Sequence, residues 1–97
     1  MPKLTGKQLN HLRGLAHHRK VIISVGAAGI TKGVVAELDE ALKSHELVKI
    51  KIVGDSKADR LVMLERLCAA TDAHVVQLIG KTGVAYRKAK KPVITLP

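Results

Sequence analysis

Val21-Ile22-Ile23-Ser24-Val25 is an apolar run that ends in Gly26-Ala27-Ala28-Gly29-Ile30-Thr31, and an amphipathic pattern from Lys32 to His45 follows. That order of residues predicts a strand, a tight glycine loop and a helix, around which the rest of the chain must be built. Two glycines flanking two alanines leave the backbone free to take positive φ and put no bulky side chain in the way of a close approach. Thr31 stands at the N-cap position of the helix. Free amides and the positive end of the dipole at such a helix start favour an anion such as phosphate. Lys32 opposes that dipole from the first turn, so helix stability does not explain it, whereas a phosphate held between the lysine and the amides does. A glycine loop that serves only to turn the chain is the competing reading, and the loop alone does not decide between the two.

Upstream, Thr5-Gly6-Lys7-Gln8 has the spacing of a capping box. Leu9, Leu12, Leu15 and Ala16 then fall on one helical face, opposite a neutral-to-basic stripe of Lys7, His11, Gly14 and His18 beside Asn10 and His17. The run His17-His18-Arg19-Lys20 ends that helix. The apolar strand Val21–Val25 is expected at the centre of a covered sheet. The second helix should bury Val34, Val35, Leu38, Ala41 and Leu42 and expose Glu37, Asp39, Glu40 and Lys43, with Asp39 and Lys43 spaced for a weak pair. His45 falls on its inner side as a partly buried packing residue. Residues 47–53 alternate, Val48, Ile50 and Ile52 against Lys49 and Lys51, which fits an edge strand or an open sheet face.

Gly54-Asp55-Ser56 turns the chain and caps a third helix over residues 57–71, with Ala58, Leu61, Leu64 and Cys68 inward. Strands over 74–79 and 84–87 meet across the hairpin signal Gly80-Lys81-Thr82-Gly83, and 93–96 has the composition of a short last strand. The order αβαβαββ predicts a compact α/β domain with a mixed sheet of about four strands and three helices, containing a parallel pair and an antiparallel hairpin.

At 97 residues the chain suits one domain with a single core. A lone cysteine, Cys68, excludes an internal disulfide and packs as a small hydrophobe. No apolar run reaches membrane-spanning length and no signal-peptide pattern opens the chain, so a soluble cytoplasmic protein is expected. The formal net charge of +9 is unevenly placed. Residues 1–36 hold six basic residues and no acid, residues 73–97 hold five and no acid, and all eight acids lie from Glu37 to Asp72. Two polycationic ends around a near-neutral middle predict that the ends meet on one basic face, the footprint of a polyanion partner. A membrane surface fits less well, because no cationic amphipathic helix with aromatic anchors is present.

Gly80-Lys81-Thr82 is not a nucleotide-binding P-loop: the glycine required five residues before Gly80 is Val75, and a strand rather than a helix follows. Lys81 at the hairpin tip is still placed to touch a phosphate. His11, His17, His18, His45 and His74 show no zinc-ligand spacing with cysteine or carboxylate. With no serine-nucleophile motif and the acids on outer helical faces, no catalytic residue, metal, cofactor or small-molecule substrate is expected. Tyr86 is the single aromatic residue, which excludes base stacking on several rings. It shares the phase of Val84, which fits a core position as well as a base-stacking one.

Leu4-Thr5-Gly6-Lys7-Gln8, Leu12-Arg13-Gly14-Leu15-Ala16-His17, Val25-Gly26-Ala27-Ala28-Gly29-Ile30-Thr31, His45-Glu46-Leu47-Val48-Lys49-Ile50-Lys51 and Ile79-Gly80-Lys81-Thr82-Gly83-Val84-Ala85-Tyr86-Arg87 occur in that order. In this combination the chain resembles the chloroplast RNA splicing and ribosome maturation (CRM) domain family, in its stand-alone bacterial, YhbY-like form, over nearly its whole length. The resemblance implies a fold similar to the C-terminal domain of bacterial translation initiation factor three. It also implies a single RNA-binding domain over 1–97, with 88–97 as a basic C-terminal segment, acting as an assembly factor on ribosomal RNA of large-subunit precursors.

Gly26 and Gly29 would then be the family's G-x-x-G loop, expected to meet RNA backbone as in KH domains, although there the loop joins two helices. Ala27 and Ala28 depart from members with a basic or polar residue inside the loop, so charge must come from neighbours such as Lys32, Arg19 and Lys20. The expected RNA-contacting set is Gly26, Ala27, Ala28, Gly29, Thr31 and Lys32, with Lys7, His18, Arg19, Lys20, Lys81, Arg87, Lys88, Lys90 and Lys91. A basic structural or regulatory protein that binds DNA or an acidic protein is the alternative. RNA-dependent co-sedimentation with large-subunit particles separates the two.

Overall fold

A computed structural model describes residues 3–97. The elements are α1 (Gly6–Ala16), β1 (Val21–Val25), α2 (Lys32–His45), β2 (Leu47–Ile52), α3 (Lys57–Ala70), β3 (His74–Ile79) and β4 (Thr82–Tyr86), in the expected αβαβαββ order. Each helix begins where a hydroxyl can cap it. Thr5 Oγ1 accepts from the Gln8 amide at 3.1 Å while Gln8 Oε1 accepts from the Thr5 amide at 3.0 Å, the reciprocal capping box. Thr31 accepts from the Val34 amide and Ser56 from the Asp59 amide, both at 3.1 Å. Caps of this kind stabilise a helix by about 1 kcal/mol each.

The sheet order is β1-β2-β4-β3, with β1 parallel to β2 and β4 antiparallel to both of its neighbours. Helices α2 and α3 cover one face and α1 the other, so the expected single core is divided in two by the sheet. Ile23, Val25, Val48 and Ile50 pack with Leu38 and Leu42 of α2 and Leu64 and Leu67 of α3. On the opposite face Leu47, Val76, Val84 and Tyr86 pack with Leu12 and Ala16 of α1, joined by Leu4, Ile94 and Leu96. Because β1, β2 and β3 all run the same way, the 26–29 loop, the turn after β2 and the β3–β4 hairpin share one end of the sheet. The start of α1 and the segment ending at Pro97 share the other.

Several expectations are corrected. β1 is an edge strand, not a central one: α1 packs mainly on β2, β3 and β4, which leaves the α1 side of β1 largely open, and Val21 and Ile22 stay 41% and 48% exposed. β2, the alternating strand, lies between β1 and β4 and is wet only where α1 leaves its face open. In α3 the inward positions are Leu64, Leu67 and Cys68, while Ala58 and Leu61 are exposed, because the buried stripe is rotated from the one expected. His45 is exposed at the end of α2, where Glu46 takes the inward direction instead. Residues 93–96 form no strand; they run as an irregular segment whose Val93 and Ile94 amides bond to a side chain rather than to a neighbouring strand.

Candidate nucleic-acid interface

The Gly29 amide donates to the Gly26 carbonyl at 3.0 Å and closes the loop as a tight turn. Gly29 has φ +72°, the left-handed region, and a Cβ built on Gly26 or Gly29 would meet nothing within 4 Å. Conformation is therefore demanding at Gly29 alone, and at both glycines the space beyond the backbone is open for a ligand. Gly26, Ala27, Ala28, Thr31 and Lys32 are exposed. Thr31 supplies the cap, and its carbonyl accepts the Val35 amide as the first helical bond. The amides of Lys32 and Gly33 therefore have no partner within the helix.

Lys81 stands at the hairpin tip on the same end of the sheet as this turn, with β2 between β1 and β4, and its carbonyl accepts from the Ile52 amide at 2.7 Å. Arg60 ties the hairpin down through Nε to the Gly80 carbonyl and Nη1 to the Gly54 carbonyl, both at 2.9 Å. Lys51 completes the group. Register sets it between Ser24 of β1 and Thr82 of β4, on the α1 side of the sheet but exposed. Sequence reasoning passed over Lys49 and Lys51; their alternation was visible, but only the strand order shows that their face is open and adjoins the loop.

The remaining expected residues lie elsewhere. Arg19 and Lys20 precede β1 and so sit at the opposite end of that strand from the loop, about 17 Å away at ~3.3 Å per residue. They do not supply the loop's charge. Arg19 is half-buried and donates through Nη1 to the Leu47 carbonyl at 3.1 Å. Lys7 and His18, on and just after α1, are exposed, as are Lys88, Lys90 and Lys91 after β4. The two polycationic ends do meet, since Leu4 and Leu96 share one cluster and Gln8 Nε2 donates to the Pro97 carbonyl at 3.3 Å.

Arg87 leaves the expected set. Its Nη1 reaches Asp39 Oδ1 and the Thr71 carbonyl, both at 2.7 Å, its Nη2 reaches the Asp39 carbonyl at 3.0 Å, and its side chain is 18% exposed. It is a brace between α2 and the end of α3. Hydrogen bonds from Arg87 and then Lys43 hold the Asp39 carboxyl below the usual carboxylate range. Tyr86 is 2% exposed and stacks on His74 at 6.3 Å, which settles it as core.

Charge is sorted by layer. α1 and the four strands contain no aspartate or glutamate; the acids lie on α2, α3 and the segments flanking them. On α2 some are already neutralised, Lys43 pairing with Asp39 at 3.3 Å and Glu40 at 3.2 Å. Cys68 is buried, and burial, with Glu65 nearby, pushes its thiol up to about 12, which leaves it protonated and inert. Among the described residues no group of histidine, cysteine and carboxylate is placed to hold a metal, and no helix is long and apolar enough to cross a membrane.

A glycine turn that opens onto free helix amides beside exposed lysines has the chemistry that favours an anion such as phosphate. The CRS1/YhbY (CRM) domain matches residues 4–87, and the chain belongs to that family. It is 42% identical over 89 residues to a probable RNA-binding protein of Pseudomonas aeruginosa, covering 92% of this chain and 86% of that one. It is 38% identical over 97 residues to an RNA-binding protein of Haemophilus influenzae, covering 100% and 98%. The solution structure of a Staphylococcus aureus protein, described as a candidate RNA-binding protein, superposes with a TM-score of 0.87 at 36% identity, covering 98% of this chain and 100% of that one.

Proposed function

We propose that the chain is an RNA-binding protein that associates with ribosomal RNA of large-subunit precursors and acts there as a non-catalytic assembly factor in the cytoplasm, the whole chain serving as one RNA-binding domain. The observation that carries this reading is the exposed 26–29 turn, open beyond both glycines and followed by two free helix amides beside Lys32. A phosphate oxygen accepts from those amides, Lys32 neutralises it, and Lys51 and Lys81 take neighbouring phosphates. With the one tyrosine buried and no phenylalanine or tryptophan in the chain, recognition rests mainly on backbone and shape rather than on stacked bases. The names of the relatives support RNA as the partner class.

The test is to crosslink the protein to total cellular RNA and to sediment it with ribosomal particles. This reading expects crosslinks concentrated in large-subunit ribosomal RNA and an RNase-sensitive peak with large-subunit precursors. Recovery on DNA or with protein partners after RNase treatment would favour the alternative of a basic DNA- or protein-binding factor.

A further inference from the structure

We infer that the cleft between α2 and the segment after β4 is a second phosphate-binding site, for a stretch of RNA backbone distinct from the one at the 26–29 turn, and that Glu46 is the residue that builds it. The inference rests on the RNA-binding reading above.

Residues 88–97 look in sequence like a loose basic tail. In the structure they are held by one buried carboxylate. Glu46, the residue after α2, has φ +61°, a positive φ unfavourable for a residue with a side chain, and its side chain is buried to 0% exposure. Oε2 accepts from the Ala89 amide at 2.8 Å, and Oε1 accepts from the Val93 and Ile94 amides at 2.7 and 2.8 Å. The Glu46 carbonyl accepts the Arg87 amide at 2.9 Å. Backbone amides make all of the carboxylate's hydrogen bonds; Lys88 adds a favourable charge interaction from nearby but donates no hydrogen bond to it.

Between the anchor points at Ala89 and Val93 the chain bows out and carries Lys90 and Lys91, with Lys88 just before, all exposed. This loop walls an open cleft of about 650 Å3 against Asp39 and Lys43 of α2. The carboxylate there, Asp39, is already engaged by Arg87 and Lys43. Lys90 and Lys91 have no acidic partner among the described residues, and Lys88, which neighbours Glu46, keeps its side chain exposed, so a loop of fixed shape presents cations that suit consecutive phosphates. The family match ends at residue 87, so the cleft's α2 wall and Glu46 lie within the matched region, while the lysine loop over 88–91 lies beyond it. It lies at the opposite end of the sheet from the turn, and an RNA that engages both must extend over about 17 Å or more.

The test compares the parent, Lys32→Ala, the triple variant K88A/K90A/K91A, Glu46→Gln and the combination of the last two, on a single-stranded RNA of about 20 nucleotides. Losing three phosphate contacts should weaken binding by about tenfold and make the slope of log K against log salt shallower by about 2. Glutamine keeps one acceptor but sets its NH2 against the Ala89 amide, so Glu46→Gln should lose a similar factor. Added to the triple variant it should cost nothing more, because it acts only through those lysines, and a general loss of structure would not behave so. RNA should also protect Lys88, Lys90 and Lys91 of the parent from amine acylation, a readout that stands even if Glu46→Gln fails to fold.

If the parent does not bind RNA, the reading beneath this inference falls with it. If the parent binds, Lys32→Ala weakens it, and the triple variant changes neither affinity nor slope, the second site alone is overturned. Polyglutamate that displaces RNA from the parent but not from the triple variant would assign the cleft to acidic protein segments and likewise overturn the RNA assignment.

Discussion

Gly29 and Lys32 can be separated by experiment because their substitutions act on stability and binding in different directions. Gly29→Asp forces a Cβ onto φ +72°, which costs roughly 1–2 kcal/mol, while a carboxylate near a helix start returns about 0.3–1 kcal/mol. Thermal stability should therefore fall only slightly, yet RNA affinity should drop about tenfold or more, because the new charge faces the phosphate. Lys32→Ala removes the cation without strain and favours the helix, so it should be as stable as the parent or more so and still bind RNA less tightly. Parent-like binding by that variant would mean that the glycines only turn the chain. Arg87→Ala should lower Tm by roughly 5–10 °C from the lost charged hydrogen bonds, and Arg87→Lys should not rescue it, since an ammonium cannot reproduce the fork to Asp39 and Thr71. The caps at Thr5, Thr31 and Ser56 were readable in sequence because their bonds span three residues. The roles of Arg87 and Glu46 were not: their partners lie as far as 48 residues away in the chain, and from local pattern one looks like a surface cation and the other like an ordinary helix-end acid.

At the scale of elements, the sequence pattern identified every helix and strand of the sheet but exchanged the places of β1 and β2. An apolar run reads as a buried strand only if both faces are covered, and which strands α1 covers is set by where that helix packs, on β2, β3 and β4, not by the composition of β1. The same accident of coverage exposes Lys51 and half-exposes Lys49. Lys49→Ala with Lys51→Ala should leave Tm nearly unchanged and make the salt slope of RNA binding shallower by about 1.

The segment after β4 carries a pH dependence through Glu46. Burial alone would raise its pKa, but the amides of Ala89, Val93 and Ile94, with Lys88 nearby, outweigh that and hold it below the ordinary 4.5. A carboxyl depressed in the folded state contributes stability above its unfolded pKa, and that contribution is lost as pH falls through the folded value. Relative to the intrinsic exchange rate at each pH, the amides of those three residues should therefore be strongly protected at neutral pH and lose that protection only below about pH 4.5. Exchange already fast at neutral pH would show that the clamp is not formed.

Taken whole, the molecule separates its charges by layer: an acid-free sheet and α1, and two outer helices on which the acids are concentrated. The charge tally by segment foretold that the termini would meet, and they do, but it gave no hint that the G-x-x-G turn lies at the other end of the sheet. That separation depends on strand direction, which composition does not encode. The claim that unites both ends is that exposed lysines and amides bind RNA through its phosphates. The most direct test is the affinity of the parent protein for single-stranded RNA measured from low to moderate salt. With about four to six phosphate contacts, log K should fall against log salt with a slope of roughly −3 to −4. A slope near zero would mean that the lysines do not form the contact, and would contradict the account.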